Sequence, residues 1–313
     1  MTTFVGAPAL ADEQDILRGA YAARIQEFTE AGRRAGLTPA ENDAQTVALV
    51  LVDYQHDFTD PTGTLSVPGA REDVARLLRW FYASAPHITT IYASLDTHVP
   101  FQIFFSAWWS DPRTGEPPAP FTPITVADIE AERWVPAQEA TWSRHYVHML
   151  AQQARKDLMI WPHHTMQGTQ GHMLVAPISE AIAWHSAARS AQPVYISKGL
   201  TPRTEFYGIF GAEVHDPSDA SSRLNVPLLN EIMQHDRVYI AGEAKSHCVL
   251  ETIRQLTGHF KDQPDLLQRL YVLTDCTSSV QHPSIDFDAL AEQELAAIQR
   301  QGVHMVKSMD VLG

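Results

Sequence analysis

Cysteine is scarce in this chain, which has only two among 313 residues. Two cysteines cannot form the disulfide framework of a small secreted fold, so the structure must be held by packing, in a reducing compartment. Long apolar runs are also missing: there is no stretch of roughly 18 apolar residues, and the first residues lack the basic and apolar regions of a secretory signal. We therefore expect a cytoplasmic protein without membrane contact.

Positive charge is in short supply as well. Lysine and arginine number 23 against 37 acidic residues, which gives a net charge of −14 with neutral histidines. Binding to nucleic acid requires a positive surface that neutralises phosphates, so we expect no nucleic-acid partner. Hydrophobic residues make up 44% of the chain, and its length suffices for one large or two smaller domains with a packed core. This composition is typical of a globular enzyme or binding protein.

Six short apolar segments rich in β-branched residues recur along the chain, with helical stretches between them. They are 46–53, 88–95, 193–197, 237–242, 270–275 and 303–308. Continuous apolar runs of this kind are typical of strands that are buried on both faces of a parallel sheet. The alternation of strand and helix predicts a three-layer α/β/α fold of the Rossmann-like class, with a six-stranded, mostly parallel sheet and right-handed crossovers.

Two segments fall outside this alternation. The N-terminal arm, 1–44, has apolar residues at helical spacing, and the insertion, 101–160, contains a proline-rich loop and an amphipathic helix around Trp142 and Tyr146. Neither is expected to form a domain of its own, so we predict a single domain over 1–313. The insertion could act as a lid over a site; alternatively, both segments could make contacts in the homo-oligomer that we expect.

Polar residues follow several of the predicted strands. Asp53 follows the first strand, Asp96 and His98 the second, Lys198 the third, and Cys248 comes shortly after the fourth. Ligands of doubly wound sheets bind at the carboxyl ends of the strands, so these side chains should meet at one edge. Any one of them alone could be a capping, solvated or buried side chain. Together they supply the base and the positive neighbour that a reactive cysteine needs.

The two cysteines are expected to differ in role. Cys248 lies at the entry to a predicted helix, where the helix dipole and free backbone N–H groups favour a thiolate and can bind an oxyanion. Cys276 has only Asp275 as a chemically active neighbour in the sequence. We therefore interpret Cys276 as a structural thiol.

Five motifs occur in order between about 46 and 280: DYQHDF, SLDTH, WPHHTMQGT, SKG and GEAKSHCVLET. Together they resemble the isochorismatase-like cysteine hydrolase superfamily, and nicotinamidases in particular. The resemblance implies a catalytic triad of Asp53, Lys198 and Cys248, in which the aspartate takes the thiol proton and the lysine lowers the pKa of the cysteine. It also implies a cis peptide bond between Glu243 and Ala244, with the backbone N–H groups of Ala244 and Cys248 forming the oxyanion hole.

A metal site is implied by the same resemblance. Asp96, His98 and His164 would coordinate a divalent ion, Zn²⁺, Fe²⁺ or Mn²⁺, through the oxygen and nitrogen ligands that these ions accept. Gln102 stands where many nicotinamidases have a further histidine, so we expect three protein ligands and assign Gln102 to the substrate pocket. The alternative is that Asp96 and His98 only form hydrogen bonds within their turn.

Aromatic residues complete the implied site. Phe58 and Trp161 fall where the family clamps a flat ring between aromatic side chains; the alternative is that both belong to the core. Two departures from the family pattern leave the substrate open, because Glu243 and Ser246 replace a small apolar residue and an aspartate in the cysteine loop. The FFSAWW segment, 104–109, could cover the site or pack the insertion onto the core.

The function we expect is that of a metal-assisted cysteine amidohydrolase, converting nicotinamide or a related aromatic amide to the acid and ammonia through a thioester. One alternative is a metal-free amidase or carbamoyl hydrolase of the same superfamily, with an aliphatic or ureido substrate. Another is a small-molecule binding protein that has kept the fold without catalysis. Bound metal would separate the first two, and ammonia release would separate both from the third.

Overall fold

A six-stranded parallel sheet forms the centre of the computed structural model, which describes residues 6–8, 23–154 and 156–312. Its strands are β1 (Val47–Val52), β2 (Thr90–Asp96), β3 (Val194–Lys198), β4 (Arg237–Gly242), β5 (Leu270–Leu273) and β6 (His304–Val306). In space they lie in the order β6-β5-β4-β1-β2-β3. Every pairing between neighbours is parallel. The predicted sheet is therefore confirmed, strand by strand.

The strand order reverses between β1 and β4. From β1 the chain first builds outward through β2 and β3, then returns to the other side of β1 with β4 and continues through β5 to β6. A doubly wound sheet leaves a crevice at the carboxyl ends of the strands where its order reverses. The residues that follow β1, β2, β3 and β4 consequently surround one crevice.

Helices cover both faces of this sheet. They are α1 (Ile25–Ala35), α2 (His56–Thr59), α3 (Ala70–Ser84), α4 (Val126–Glu130), α5 (Ala140–Met149), α6 (Ala176–Arg189), α7 (Val226–Met233), α8 (Leu250–His259), α9 (Pro264–Leu267) and α10 (Phe287–Gln299). Two π-helical segments extend this set: Leu150–Ala154 continues α5, and Lys245–Val249 leads into α8. Among the described residues, no helix combines the length and the apolar character needed to cross a bilayer.

Alternate residues of β1 contribute to two hydrophobic cores. All six residues of β1 are buried, because successive side chains of a strand point to opposite faces of the sheet and helices cover both faces. One core includes residues of α7, α8 and α10, and the other residues of α1, α3 and α6. The β1 members are Ala48, Val50 and Val52 in the first core and Val47, Leu49 and Leu51 in the second.

The insertion packs onto the first of these cores. It contains α4, α5 and two short antiparallel pairs, Trp109–Ser110 with Val135–Pro136 and Pro123–Ile124 with Leu158–Met159. The aromatic residues of 104–109 are fully buried, and the indole N–H of Trp108 donates to Ser143 Oγ of α5 at 3.0 Å. Of the two uses weighed for 104–109, the structure favours packing of the insertion.

The N-terminal arm is described only in part, because 9–22 of its predicted helix lie outside the described residues. From Ile25 onward the arm forms α1, which packs along α6. Phe28 is buried between them, and Gly32 lies directly against the Trp184 backbone. Arg24 reinforces the contact, with its Nε 3.0 Å from Glu180 Oε1. This part of the arm covers the second core.

Candidate active site

Lys198 lies at the centre of the predicted triad. Its Nζ is 3.0 Å from Asp53 Oδ2, 2.8 Å from Asp96 Oδ1 and 3.6 Å from Cys248 Sγ. All four side chains are buried. The four predicted residues, carried by the ends of three strands and by the segment after a fourth, are therefore brought together at the crevice.

Backbone and hydroxyl groups hold the members of this cluster in place. Asp53 directly follows β1 with a left-handed φ of 49°. Ser94 Oγ of β2 accepts from the Asp53 backbone N–H at 3.0 Å and donates to Asp53 Oδ1 at 2.5 Å. Lys198 also donates to the Phe206 carbonyl at 3.0 Å. Cys248 lies in the π-helical segment ahead of α8, as its predicted place at a helix entry required.

Burial determines the protonation of the cluster at rest. It raises the pKa of the Cys248 thiol well above the ordinary value; Lys198 lowers this pKa, while Asp53 and Asp96 raise it. Burial also raises the pKa of Asp53, against the opposing charge of Lys198. Burial alone would lower the pKa of Lys198, but Asp53, Asp96 and Cys248 hold it well above its usual value. Lys198 thus lowers the pKa of Cys248, as expected. Burial outweighs this effect, so the resting sulfur is a thiol, and it lies within hydrogen-bonding reach of Asp53.

The loop before Cys248 has the predicted cis peptide bond, between Glu243 and Ala244. Ala244 and Cys248 both line the cavity at the crevice. The side chain of Glu243 turns away from it and is fully buried, with Oε2 accepting from the Ser278 backbone N–H at 3.3 Å. Ser246 Oγ pairs with His247 Nδ1 at 2.8 Å. Glu243, one of the two departures from the family pattern, is therefore absent from the cavity lining.

Three buried side chains beside this cluster could hold a metal ion. Asp96 Oδ2 lies 2.9 Å from His98 Nε2 and 3.6 Å from His164 Nε2. One ligand atom from each of the three lies within 4.8 Å of the others. The opposite ring nitrogens are held by backbone carbonyls: His98 Nδ1 by Gly199 at 3.2 Å and His164 Nδ1 by Pro162 at 2.8 Å.

The chemistry of this donor set fits a divalent cation. A carbonyl oxygen only accepts, so the proton of each neutral imidazole belongs on Nδ1, and each Nε2 then presents a lone pair. Burial lowers the pKa of His98, which favours its neutral ring, although Asp96 opposes this. A lone pair on His98 Nε2 facing Asp96 Oδ2 at 2.9 Å requires a proton or a cation between them. Backbone carbonyls that hold the far nitrogen are the usual support of metal-binding histidines.

Residues of the DYQHDF motif position these candidate ligands through hydrogen bonds to the backbone. Gln55 clamps the Asp96 backbone, accepting from its N–H at 2.7 Å and donating to its carbonyl at 2.8 Å. Asp57 Oδ2 accepts from the Thr165 backbone N–H at 2.7 Å, next to His164. The motif that carried the resemblance thus contributes Asp53 to the triad and two positioning side chains to the candidate metal ligands.

One cavity is lined by Cys248 of the triad and by all three candidate ligands. It is lined by Phe58, Leu65, Asp96, His98, Trp161, His164, Glu205, Phe206, Tyr207, Ala244, His247, Cys248 and Val280. The predicted ring-clamping residues, Phe58 and Trp161, are both in this set. Gln102 is not: its amide donates to the Gly199 and Thr201 carbonyls at 2.7 and 3.1 Å, and its oxygen accepts from the Val99 N–H. Gln102 thus connects the loop at Val99 with the loop at Gly199 and Thr201 through hydrogen bonds.

Sequence reasoning missed one wall of the cavity, formed by Glu205, Phe206, Tyr207 and His247. The first three lie in an irregular segment after β3, where no periodicity indicates burial. His247 immediately precedes Cys248, and its ring packs against Trp161 and Tyr207 at centroid distances of 5.4 and 5.2 Å. The only available signal was nearness in sequence to Lys198 and to Cys248.

Comparison with known proteins adds evidence at the level of structure. No protein-family model matches this chain, and no curated protein matches it in sequence. Among solved structures, the nicotinamidase/pyrazinamidase of Acinetobacter baumanii matches with a TM-score of 0.54 and 21% identity, covering 86% of this chain and 99% of its own. Yeast nicotinamidase matches with a TM-score of 0.55 and 20% identity, covering 83% of this chain and 99% of its own.

A third match is an L. infantum protein solved in complex with nicotinate. Its TM-score is 0.51 at 19% identity, and the match covers 88% of this chain and 98% of the other. This chain has the nicotinamidase fold. The predicted three-layer α/β/α architecture is thereby confirmed, and the motifs recognised in the sequence lie at the crevice of that fold.

Proposed function

We propose that this protein is a metal-assisted cysteine amidohydrolase that converts nicotinamide or a related small aromatic amide to the carboxylic acid and ammonia. The observation that carries the proposal is that one cavity is lined by a buried thiol and three metal-type ligands, and that Lys198 contacts this thiol, Asp96 and the basic Asp53. The aromatic walls provided by Phe58 and Trp161 suit a flat ring. The fold shared with nicotinamidases supports the same substrate class.

The first half of the reaction uses Asp53 as a shuttle for one proton. Asp53 takes the proton of Cys248, and the sulfur attacks the amide carbon while the carbonyl bond opens to an oxyanion. The backbone N–H groups of Ala244 and Cys248 stabilise this oxyanion. Asp53 then returns the proton to the amide nitrogen, and ammonia leaves as the C–N bond breaks. The acyl group remains on Cys248 as a thioester.

The second half repeats the proton movement with water. Asp53 accepts a proton from a water molecule, whose oxygen attacks the thioester carbon. The C–S bond then breaks to release the acid, and Asp53 returns the proton to the sulfur of Cys248. Lys198 remains protonated throughout and offsets the negative charge that accumulates on Asp53 and on the sulfur. The raised pKa of Asp53 makes it a stronger base than a surface aspartate for both steps.

Asp96, His98 and His164 would hold the divalent ion, which when bound supplies a Lewis-acid position for the ring nitrogen of the substrate. The three buried ligand-type side chains, with the far ring nitrogens of both histidines held by backbone carbonyls, favour this proposal over a metal-free amidase. Phe58 and Trp161 orient the ring from the cavity walls. The identity of the ion, among Zn²⁺, Fe²⁺ and Mn²⁺, is left open by these ligand types.

The test is ammonia release from nicotinamide by the wild type and by Cys248→Ala. We expect turnover by the wild type and loss of at least about a thousand-fold in kcat for Cys248→Ala, because no other side chain can form the thioester. Cys276→Ala, at the other buried cysteine, is the matched control and should remain active. Turnover that survives in Cys248→Ala would rule out the nucleophile; hydrolysis of only aliphatic or ureido substrates would favour a different amidase.

A further inference from the structure

Glu243 is a buried acid in the cysteine loop that the reaction above does not use. It is fully buried, as is Asp73 of α3, and the side chains of the two acids form a hydrogen bond with each other. Among the described residues, no N–H or O–H group donates to Glu243 Oε1 or to Asp73 Oδ2. Carboxylates only accept hydrogen bonds, so the contact within this acid pair, Asp73 and Glu243, requires a proton on one of them.

The charges around the acid pair favour Glu243 as the member that carries the proton. Arg76, which lies one turn along α3, contacts Asp73 Oδ1. Burial raises the pKa of Asp73, but hydrogen bonds from Ser278, Arg76 and Glu243 lower it. Burial and the charge of Asp73 raise the pKa of Glu243 well above the ordinary value. Asp73 is therefore the ionised acid and Glu243 the neutral one.

The other titratable groups around the acid pair add no further positive charge. Tyr54 and Cys276 face it, and burial raises the pKa of both, so they are neutral between pH 5 and 8. Burial alone would lower the pKa of Arg76, but the aspartate beside it raises that pKa, and the guanidinium stays charged. The Asp275 side chain accepts from the Ser308 N–H and hydroxyl at 2.8 Å each. One cation thus faces two acids, which is the balance that a shared proton requires.

The acid pair belongs to a clamp on the loop assigned to the oxyanion hole. Ser278, after β5, donates its N–H to Glu243 Oε2 at 3.3 Å and accepts the Lys245 N–H on its carbonyl at 2.7 Å. The Ser278 side chain also forms a hydrogen bond with Asp73. Ala244 lies between Glu243 and Lys245, and the reaction above uses its N–H to bind the oxyanion. The contacts of Ser278 and Asp73 therefore fix the loop on both sides of Ala244.

We propose that Glu243 is a positioning residue, whose proton, shared with Asp73, fixes the oxyanion-binding N–H of Ala244. This inference rests on the proposed function and adds to it a residue that lies outside the cavity. The neutral carboxyl group donates to Asp73 and accepts from Ser278, and an ionised carboxylate cannot do both. An amide of the same size can do both, whereas a hydrocarbon side chain can do neither.

The first experiment measures kcat and KM for nicotinamide with the metal-loaded enzyme. Glu243→Gln keeps a donor and an acceptor, so both constants should stay within about two-fold of the wild type. Glu243→Leu loses both hydrogen bonds, and a displaced oxyanion donor should lower kcat about ten- to a hundred-fold with little change in KM. Glu243→Asp is a milder variant that is one methylene too short for both partners, and it should also lower kcat. An unchanged kcat in Glu243→Leu, or in Glu243→Asp if the leucine variant does not fold, overturns the inference.

Binding of an aldehyde separates a displaced oxyanion hole from general damage. The aldehyde analogue of nicotinamide adds to Cys248: the sulfur bonds to the carbonyl carbon, and the thiol proton passes to the carbonyl oxygen at the oxyanion position. The acid product binds without this bond. In Glu243→Leu the dissociation constant of the aldehyde should rise about ten-fold relative to that of the acid, and in Glu243→Gln the ratio should be unchanged. An equal change for both ligands would indicate a merely structural role.

Thermal unfolding between pH 5 and 8 tests the shared proton itself. The folded protein keeps this proton throughout the range, whereas Glu243 in the unfolded chain releases it at its ordinary, lower pKa. Wild-type stability therefore falls as pH rises, and its Tm should drop by several degrees relative to Glu243→Gln between pH 5 and 8. Glu180→Gln is the matched control, since Glu180 is also buried but pairs with Arg24. Parallel Tm curves for the wild type and Glu243→Gln would show that no proton is shared.

Failure of this inference differs from failure of the proposed function. If the wild type turns over nicotinamide and the variants that lose the clamp keep its kcat, Glu243 has no positioning role. If the wild type releases no ammonia, the proposed function fails, but the aldehyde and thermal measurements need no turnover and still test the inference. Aldehyde binding that is weakened in Glu243→Leu and kept in Glu243→Gln then supports it, and absence of aldehyde binding to the wild type overturns it.

Discussion

At the scale of single residues, Lys198 is the shared element of two sites. Its ammonium group contacts Asp53 of the triad and Asp96 of the candidate metal ligands, and it approaches the sulfur of Cys248. With both aspartates ionised and the thiol neutral, the cluster carries one net negative charge. That surplus favours a cation at Asp96, and the two aspartates add to burial in raising the pKa of the Cys248 thiol.

Removing the charge of Lys198 should make Cys248 less reactive. In Lys198→Met the positive charge that lowers the pKa of the thiol is gone, while burial and the aspartates still raise it. At a fixed pH above neutrality we expect the alkylation rate of Cys248 by iodoacetamide to fall by about ten-fold, equivalent to one pKa unit. Mass spectrometry of the labelled peptide separates Cys248 from Cys276.

Lys245→Met is the matched control for this measurement. Lys245 lies on the cysteine loop but is held by Asp288 and Glu292, at 2.7 and 2.6 Å. Its loss should leave the alkylation profile of Cys248 in place. Equal rates for the wild type and Lys198→Met across pH would show that the lysine does not tune the thiol.

At the scale of elements, two helical glycines illustrate how the layers are packed. Gly32 of α1 has no room for a side chain: a Cβ atom there would lie 2.2 Å from the Trp184 carbonyl oxygen of α6. Gly258 of α8 has open space at the same position, with nothing within 4 Å. The same residue type therefore serves close packing in one helix and has no packing role in the other.

The two glycines should respond to alanine in opposite directions. Gly32→Ala forces α1 away from backbone atoms of α6, and overpacking of this kind costs about 1–3 kcal/mol of the free energy of unfolding. Gly258→Ala should stabilise the protein by up to about 1 kcal/mol, because alanine loses less backbone entropy in a helix. Urea unfolding measures both. Equal effects of the two substitutions would mean that α1 does not pack on α6 as described.

At the scale of the whole molecule, the sheet order places the reactive groups. Residues separated by up to about two hundred positions meet because four parallel strands end at the same edge and their order reverses there. Metal binding at this edge links β2 to the segment that carries His164. We therefore expect the ion to stabilise the fold as a whole and not the site alone.

Chelator-treated protein should gain thermal stability when Zn²⁺ or Mn²⁺ is added. Saturation at a hundred times the dissociation constant contributes about 3 kcal/mol, which raises Tm by a few degrees in a chain of this size. His98→Ala should lose most of the shift. His145→Ala, at an exposed histidine on α5, should keep it. Absence of any metal-dependent shift in the wild type would contradict the three-ligand site.

Features that depend on neighbouring residues in the chain could be predicted from the sequence. Features that depend on contacts between distant residues could not. The six strands were correctly predicted, because a buried strand records its burial in its own apolar pattern. The residues at the strand ends followed from the same pattern. Glu205 could not be found, because its segment is irregular and its partner Trp161 is 44 positions away. Gln102 was assigned to the pocket, yet its amide binds the carbonyls of Gly199 and Thr201.

The sequence by itself determined the sheet, the edge at which the chemistry lies and the separate placement of the two cysteines, since each depends on local apolar pattern and on strand ends. The tertiary structure alone decided the electrostatics. It placed Asp96 Oδ2 2.9 Å from His98 Nε2, gave Cys248 a raised pKa in spite of Lys198, and raised the pKa of the buried Glu205. Charges and hydrogen bonds act through space in a desolvated interior, so their sum depends on partners that the linear order does not place.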